Sequence, residues 1–423
     1  MKYIIQAPDN IHADISLPAS KSISNRALVI SAMAAAMQGE KLIFPDNLSD
    51  CDDTHVIVSA LRDMPEVIDI KAAGTAMRFM TAYLSILPGH THVLTGTERM
   101  QHRPISTLVD ALRHLGAEIE YLGEEGFPPL RITGKKLRGG KLSVAGSVSS
   151  QYISALLMIG PTLSEGLHLT LEGNIVSRPY IDLTLSTMRD FGASAEWSGV
   201  DSIHVESKPY IPREYFIEND WSAASYWYQM MALYCNEDCH VYLLGLMDAS
   251  RQGDAQVKYI YSMLGVHTSF AVHEPLVPTK VSLLCYDRQV PRLDFDFTHQ
   301  PDLAQTLIAT CLACGLHFHF RGLASLKIKE TDRIEAMKTE MRRLGYILHD
   351  YNDSELRWDG ERCEPENAAV IQTYDDHRMA MAIAPMSIIL GSLTIADPHV
   401  VSKSYPHFWD DLRKAGFIIK ECE

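Results

Sequence analysis

The chain has 423 residues, 46% of them hydrophobic and 22% charged, the balance of a protein that buries a large core rather than one that stays disordered. A formal charge of −15 argues against general binding to nucleic acid or to an anionic membrane, so an anionic ligand must be drawn by a locally basic cleft. The eight cysteines follow no small-scaffold spacing, MKYIIQAPDN has too short an apolar run for a signal-peptide core, and Met379 to Leu390 falls far short of a membrane span. Reduced thiols in a soluble cytoplasmic protein are the expectation.

The first predicted helix is the Ala-rich stretch inside PASKSISNRALVISAMAAA, with Lys21, Ser22 and Arg26 at its start. Ser22 and Arg26 are four apart and face one side of the first turn. A cation with a hydroxyl at a helix start suits phosphate. A capped helix carrying a surface charge reads equally well from this segment alone. KAAGTAMRFMTAYL then sets Gly74 and Thr75 before an apolar helix, where backbone amides can approach a ligand. LTGTERMQHRPISTLVDAL brings Arg99 and Arg103 to the next helix start, and SSQYISALLM brings Ser149, Ser150 and Gln151 to another. These neutral donors suit a phosphate oxygen or a sugar-like hydroxyl, and also an ordinary Ser cap.

In the second half, Asp302 lies at the mouth of an apolar helix in DFTHQPDLAQTLIATCLA. LKIKETDRIEAM packs Lys329, Glu330, Asp332 and Arg333 into five positions, followed by Tyr374 to Arg378 and by Lys403 in VSKSYPHFW. A carboxylate between Lys and Arg is either held for proton transfer or part of a surface salt-bridge patch.

One pattern organises these fragments. An amphipathic helical stretch ends in Gly and leads into a short strand at Gly116, Gly192, Gly265, Gly345 and Gly416, spaced 71 to 80 residues apart. Gly suits the position just past a helix end because it adopts the left-handed conformation without a Cβ clash. VIVSALRDMPEVIDI reads as a weaker copy that switches from helix to strand near Met64 and Pro65, giving six units, one of them degenerate. Arg103, Arg178, Arg251, Arg333 and Lys403 precede the five glycines by twelve to fourteen residues. A cation at a helix start is unfavourable unless an anion sits there.

In order, PASKSISNRAL, AAGTAMR, RMQHRPI, SSQYISALLM, SRPYIDLTL, KIKETDRIEAM, DDHRMAMA and SKSYPHFW resemble the signature series of the 5-enolpyruvylshikimate-3-phosphate synthase family of enolpyruvyl transferases, from residue 18 to about residue 409. The resemblance implies an α/β fold: a two-domain inside-out α/β barrel of six βαβαββ-type repeats, three per domain. Residues 1–18 plus 218–423 would form the C-terminal-type domain and 19–217 the N-terminal-type domain, with the active site in the cleft between them. It also implies transfer of the enolpyruvyl group of phosphoenolpyruvate to the 5-hydroxyl of shikimate 3-phosphate, without metal or organic cofactor, by a monomer that closes on its ligands.

By motif position, the resemblance gives Lys21, Arg103, Gln151 and Lys403 to the phosphoenolpyruvate phosphate, and Arg333 and Arg378 to its carboxylate. Ser22, Arg26, Ser149, Ser150, Gln151, Ser177 and Tyr180, with Lys21, would bind the shikimate phosphate and ring, and Asp302, Ser325 and Lys329 its hydroxyl side. Asp302, Glu330 and Lys21 would carry the proton transfers. Gly74 would leave room for glyphosate, an expected inhibitor competing with phosphoenolpyruvate. Ala72, Phe79 and Ser325 depart from residues common in the family. The alternatives are UDP-N-acetylglucosamine enolpyruvyl transferase and a non-catalytic relative. The first usually carries a reactive Cys where Gly89 to Arg103 here has none, and the second conflicts with the intact KETDR and DDHR charges. Cys311, Cys314, His317 and His319 could suggest zinc, yet their neighbours are apolar and no second ligand pair follows. GKKLRGG lacks the spacing of a phosphate-binding Walker loop.

Overall fold

Helices of two kinds alternate along the chain, as a computed structural model of residues 1–422 describes. One kind is apolar nearly all round and buried nearly all round: Lys21–Gln38, Gly74–Ser85 and Ser150–Ile159 early in the chain, Trp221–Tyr234, Ala304–Ala313 and His377–Ile383 later. The other kind is amphipathic, including Ser106–His114, Arg178–Asp190 and Arg333–Arg343. Strands alternate buried and exposed positions, as in Gly140–Ala145, so their sheets keep one face in water. Buried helices and half-solvated sheets place the helices inside, as an all-round apolar helix requires.

The described residues form five four-stranded sheets of one topology. The first two strands of each repeat are parallel, joined through a helix in four of the sheets and separated by the whole of Ala19–Ile217 as well as a helix in the one that starts at His12. The second pairs antiparallel with the fourth, and the fourth with the third. Val67–Asp69, Thr91–Thr95, Glu118–Tyr121 and Leu130–Thr133 make one sheet in this way, and the four strands between Gly140 and Val205 make another. Two of the other sheets use the amino terminus. His12–Ser16 is the first strand of one and runs parallel to His240–Leu246, while Lys2–Gln6 is the fourth strand of the last. At the end of the second helix of each complete repeat, the five spaced glycines hold φ between +85° and +101°, the left-handed turn their spacing predicted.

The sixth repeat departs from its expected form. Its helices Lys21–Gln38 and Asp52–Asp63 are present, but between them lies only an isolated bridge, Asp46 with Phe216, and no hairpin follows. The strand read from EVIDI as its own outgoing strand is instead the first strand of the next repeat, since Val67–Asp69 runs parallel to Thr91–Thr95. Helix-to-strand switches occur both within a repeat and between repeats, so the local pattern cannot separate them, whereas parallel pairing across a helical crossover can. Met64 takes the left-handed cap at φ +40° that Gly fills elsewhere.

The chain divides into two units: Met1–Pro18 with the residues from Glu218 onward, and Ala19–Ile217. Each has its own hydrophobic core. Where the chain returns to the first unit, Asn219 Nδ2 donates to the Leu17 carbonyl at 2.8 Å and the Asp220 amide donates to the Pro18 carbonyl at 2.9 Å. Among the described residues no helix is long and apolar enough to cross a membrane.

Candidate active site

Most of the residues singled out above lie at or near helix N-termini, some on each unit. In Ala19–Ile217, Arg26 is 3% exposed and held by four acceptors of its own unit. Its Nε donates to Thr184 Oγ1 at 2.7 Å, and its terminal nitrogens donate to the Ser22 carbonyl at 2.8 Å, Ser154 Oγ at 3.2 Å and the Tyr180 carbonyl at 3.3 Å. Burial pulls the guanidinium down to about 10, which leaves it charged at neutral pH. Phe79, fully buried, lies 5.5 Å below the Arg26 Cζ, so this departure from the family supplies a ring beneath the cation. Ser177 stands at the start of Arg178–Asp190 with φ +55°, a backbone that only a well-determined surrounding keeps in place.

Lys21 pairs with Asp53 at 3.2 Å, a partner that no motif spacing had marked. The Gly74 start of Gly74–Ser85 lies against Arg103, and Gln151 Nε2 donates to Thr75 Oγ1 at 3.1 Å. Ser149 caps Ser150–Ile159 by accepting from the Gln151 amide. Arg178 turns instead onto the Trp197 ring at 3.9 Å.

The set on the other unit is a dense ionic cluster. Arg333, 2% exposed, donates through Nε to Asp376 at 2.6 Å, through Nη1 to Asp302 at 3.2 Å and through Nη2 to Glu330 at 2.7 Å. Arg378 Nη2 donates to the other Asp302 oxygen at 2.9 Å, and its backbone amide donates to Asp376, which caps His377–Ile383. Lys329 Nζ stands 3.7 Å from Asp302, and Lys403 Nζ donates to the Asp375 carbonyl at 2.6 Å. Burial alone would raise Asp302, but Arg378, Lys329 and Arg333 outweigh it and hold the carboxyl well below the usual range. Ser325 lies in the turn Ala324–Ile328 that leads into Lys329.

The motifs KETDR and DDHR, more than forty residues apart, thus close on one another through Arg333 and Asp376. Asp376 was legible only as part of a charged run, and its hold on Arg333 is a tertiary fact. Asp254, wholly buried and donated to by Ser222 Oγ at 2.5 Å, belongs to the same charge neighbourhood. Burial first, then Asp302, raises it to about 6. The tempting Cys and His residues do not converge: Cys311 is buried in its helix, His319 pairs with Glu355, and His317 packs on Trp358. Among the described residues no three His, Cys, Asp or Glu side chains gather as metal ligands.

The family model for EPSP synthase (3-phosphoshikimate 1-carboxyvinyltransferase) matches residues 63–412. A 3-phosphoshikimate 1-carboxyvinyltransferase of Bacteroides fragilis is 58% identical over 423 residues, covering 100% of both chains. Among solved structures, the EPSP synthase of Acinetobacter baumannii has a TM-score of 0.76 at 20% identity, over 99% of this chain and 100% of that one. An enolpyruvyl transferase of Streptomyces tendae has a TM-score of 0.68 at 16% identity, over 99% and 98%. These two likenesses speak for the fold alone. With a family model matched over most of its length and a relative alike from end to end, the chain belongs to the EPSP synthase family.

Proposed function

We infer that this chain transfers the enolpyruvyl group of phosphoenolpyruvate to the 5-hydroxyl of shikimate 3-phosphate, releasing inorganic phosphate. The observation that carries the reading is the ionic cluster around Arg333, which gathers Asp302, Glu330 and Asp376 with Arg378 beside them. Such a cluster exchanges its internal carboxylates for those of a substrate and stabilises an anionic adduct with dipoles and cations already in place.

In the reaction the 5-hydroxyl oxygen bonds to C2 of phosphoenolpyruvate, its proton leaves to a base, and C3 takes a proton to become a methyl group. The tetrahedral adduct then loses phosphate and a methyl proton, giving the enolpyruvyl ether. Arg333 and Arg378 take the carboxylate, a planar anion that suits their forked donors. Lys21, Arg103, Gln151 and Lys403 take the phosphate. Ser22, Arg26, Ser149, Ser150, Ser177 and Tyr180 surround the shikimate phosphate and ring, with Ser325 and Lys329 on the hydroxyl side. Asp302 accepts the 5-hydroxyl proton, and Glu330 and Lys21 serve the methyl carbon. With two guanidinium groups against it, Asp302 is a weak base. A substrate carboxylate that draws Arg333 and Arg378 to itself removes that restraint and raises the basicity of Asp302 when the base is needed.

The reading extends to glyphosate as a competitor of phosphoenolpyruvate and to a monomer working in the cytoplasm, where the eight free cysteines stay reduced. The test is phosphate release from phosphoenolpyruvate with shikimate 3-phosphate present, absent, or replaced by UDP-N-acetylglucosamine, before and after chelator treatment. Release that depends on shikimate 3-phosphate and survives the chelator is expected. Release with the nucleotide sugar alone would transfer the assignment to the other enolpyruvyl transferase.

A further inference from the structure

The segment Gln372 to Asp376 presents two groups to the cations of the cluster. The Asp375 carbonyl accepts from Lys403 Nζ at 2.6 Å, and the Asp376 carboxylate accepts from Arg333 Nε at 2.6 Å. The backbone that does this is an unfavourable one. Tyr374 and Asp375 are consecutive residues at φ +53° and +55°, a left-handed pair that L side chains hold only when their surroundings impose it.

The helix Arg333–Arg343 supplies the constraint. Arg333 and Glu340 are seven residues apart and so lie on one helix face. Arg333 grips the segment at Asp376. Two turns further on, Glu340, with no exposure, accepts the Tyr374 hydroxyl at 2.6 Å and the Gln372 amide at 3.1 Å. Arg343 completes the shell by donating to the same carboxylate at 3.1 Å and to the Val370 carbonyl at 2.7 Å. Burial, and then the bond to Glu340, push the Tyr374 phenol up to about 12, so it remains a donor across the physiological range.

We propose that Tyr374 and Glu340 are positioning residues for phosphoenolpyruvate: their bond holds the strained Tyr374–Asp375 turn that sets the Asp375 carbonyl against Lys403 and Asp376 against Arg333. Neither side chain is given a substrate contact in the reading above. The effect is carried by the anchoring of the cations, and the proposal rests on the roles given to Lys403 and Arg333 in the reading above.

The experiment uses the full-length enzyme and steady-state phosphate release. Tyr374→Phe removes only the hydroxyl, and the KM for phosphoenolpyruvate is expected to rise about tenfold, the scale of one charge-assisted hydrogen bond partly coupled to binding. The KM for shikimate 3-phosphate and kcat stay within about twofold, since the residues given to that substrate's phosphate lie on the other unit and neither Tyr374 nor Glu340 bonds to Asp302, Ser325 or Lys329 on its hydroxyl side. Glu340→Gln keeps an acceptor for the hydroxyl and is expected to give a smaller rise of the same selectivity. That variant also decides the matter should Tyr374→Phe fail to fold. A lowered melting temperature with an unchanged KM for phosphoenolpyruvate, or an equal rise in both KM values, would overturn the proposal while leaving the activity intact. A wild-type enzyme that releases no phosphate with shikimate 3-phosphate would overturn the functional reading and the proposal together.

Discussion

Gly74 lies so close to Arg103 that a Cβ built on it would fall 2.8 Å from the guanidinium Nη1 and 3.2 Å from Cζ. The atoms it meets are the end of a flexible side chain, so Gly74→Ala displaces Arg103 rather than the backbone. Stability is expected to change by less than about 1 kcal/mol, the range of an Ala substitution without trapped strain. The KM for phosphoenolpyruvate rises roughly tenfold as Arg103 is displaced, corresponding to about 1.4 kcal/mol. Inhibition by glyphosate weakens more than substrate binding does. An unchanged inhibition constant in this variant would remove Gly74 from the inhibitor site.

Arg26 is held by four acceptors and underlaid by Phe79, a geometry that the point charge of a lysine cannot reproduce. Arg26→Lys is expected to raise the KM for shikimate 3-phosphate with little change in that for phosphoenolpyruvate. It should also destabilise the Ala19–Ile217 unit by roughly 2 kcal/mol, through the loss of the bond from Nε to Thr184 and the imperfect pairing of a buried ammonium in place of a four-bonded guanidinium. Separate titrations of the two substrates, with a thermal melt, read out both effects.

Asp376 is wholly buried and serves Arg333 and, by accepting from the Arg378 amide, the cap of His377–Ile383 at once. Asp376→Asn retains the cap but strips the charge that compensates a buried guanidinium. The expected cost is about 3 kcal/mol of stability, as for other broken buried pairs. A loss of kcat/KM of more than about a hundredfold should accompany it, since Arg333, the donor given to the reacting anion, loses the carboxylate that aims its Nε, and misplacing one preorganised donor has that scale. Denaturant unfolding and phosphate release measure the two separately.

Glu218, 4% exposed at the return into its unit, accepts from Ser250 Oγ and Gln252 Nε2 on one oxygen and is raised to about 7. Burial is the main cause, lowered by those two bonds, with Asp220 raising and Arg251 lowering it further. Its folded pKa lies above the unfolded value, so the native state keeps a proton that the unfolded chain has released. Its stabilising contribution is full below about pH 4.5 and is lost as pH rises toward 7. Glu218→Gln is therefore expected to flatten the fall in melting temperature across that window. Above pH 7.5 the variant should be the more stable protein, by up to roughly 3 kcal/mol. Identical slopes in both proteins would mean that Glu218 is ionised in the fold.

The sequence showed the repeat because helix periodicity and a left-handed glycine are local properties, and each complete repeat carries both. It could not assign Val67–Asp69 to its repeat, because strand ownership is a matter of pairing with Thr91–Thr95 and not of local pattern. The same division runs through the site. Lys21, Arg26, Gln151, Arg333 and Arg378 were legible from ordered motifs, whereas Asp53 beside Lys21 and Phe79 beneath Arg26 were not, since those contacts join separate helices.

Family, α/β class and the list of candidate cations were therefore determined by the sequence alone, through residue type and order. Tertiary structure alone decided which carboxylate restrains which cation: Asp376 and Glu330 on Arg333, Asp302 shared between Arg333 and Arg378, and Glu340 reaching Tyr374. The physical reason is that Coulomb attraction and desolvation depend on distance and burial, and folding sets both by bringing together residues far apart in the chain.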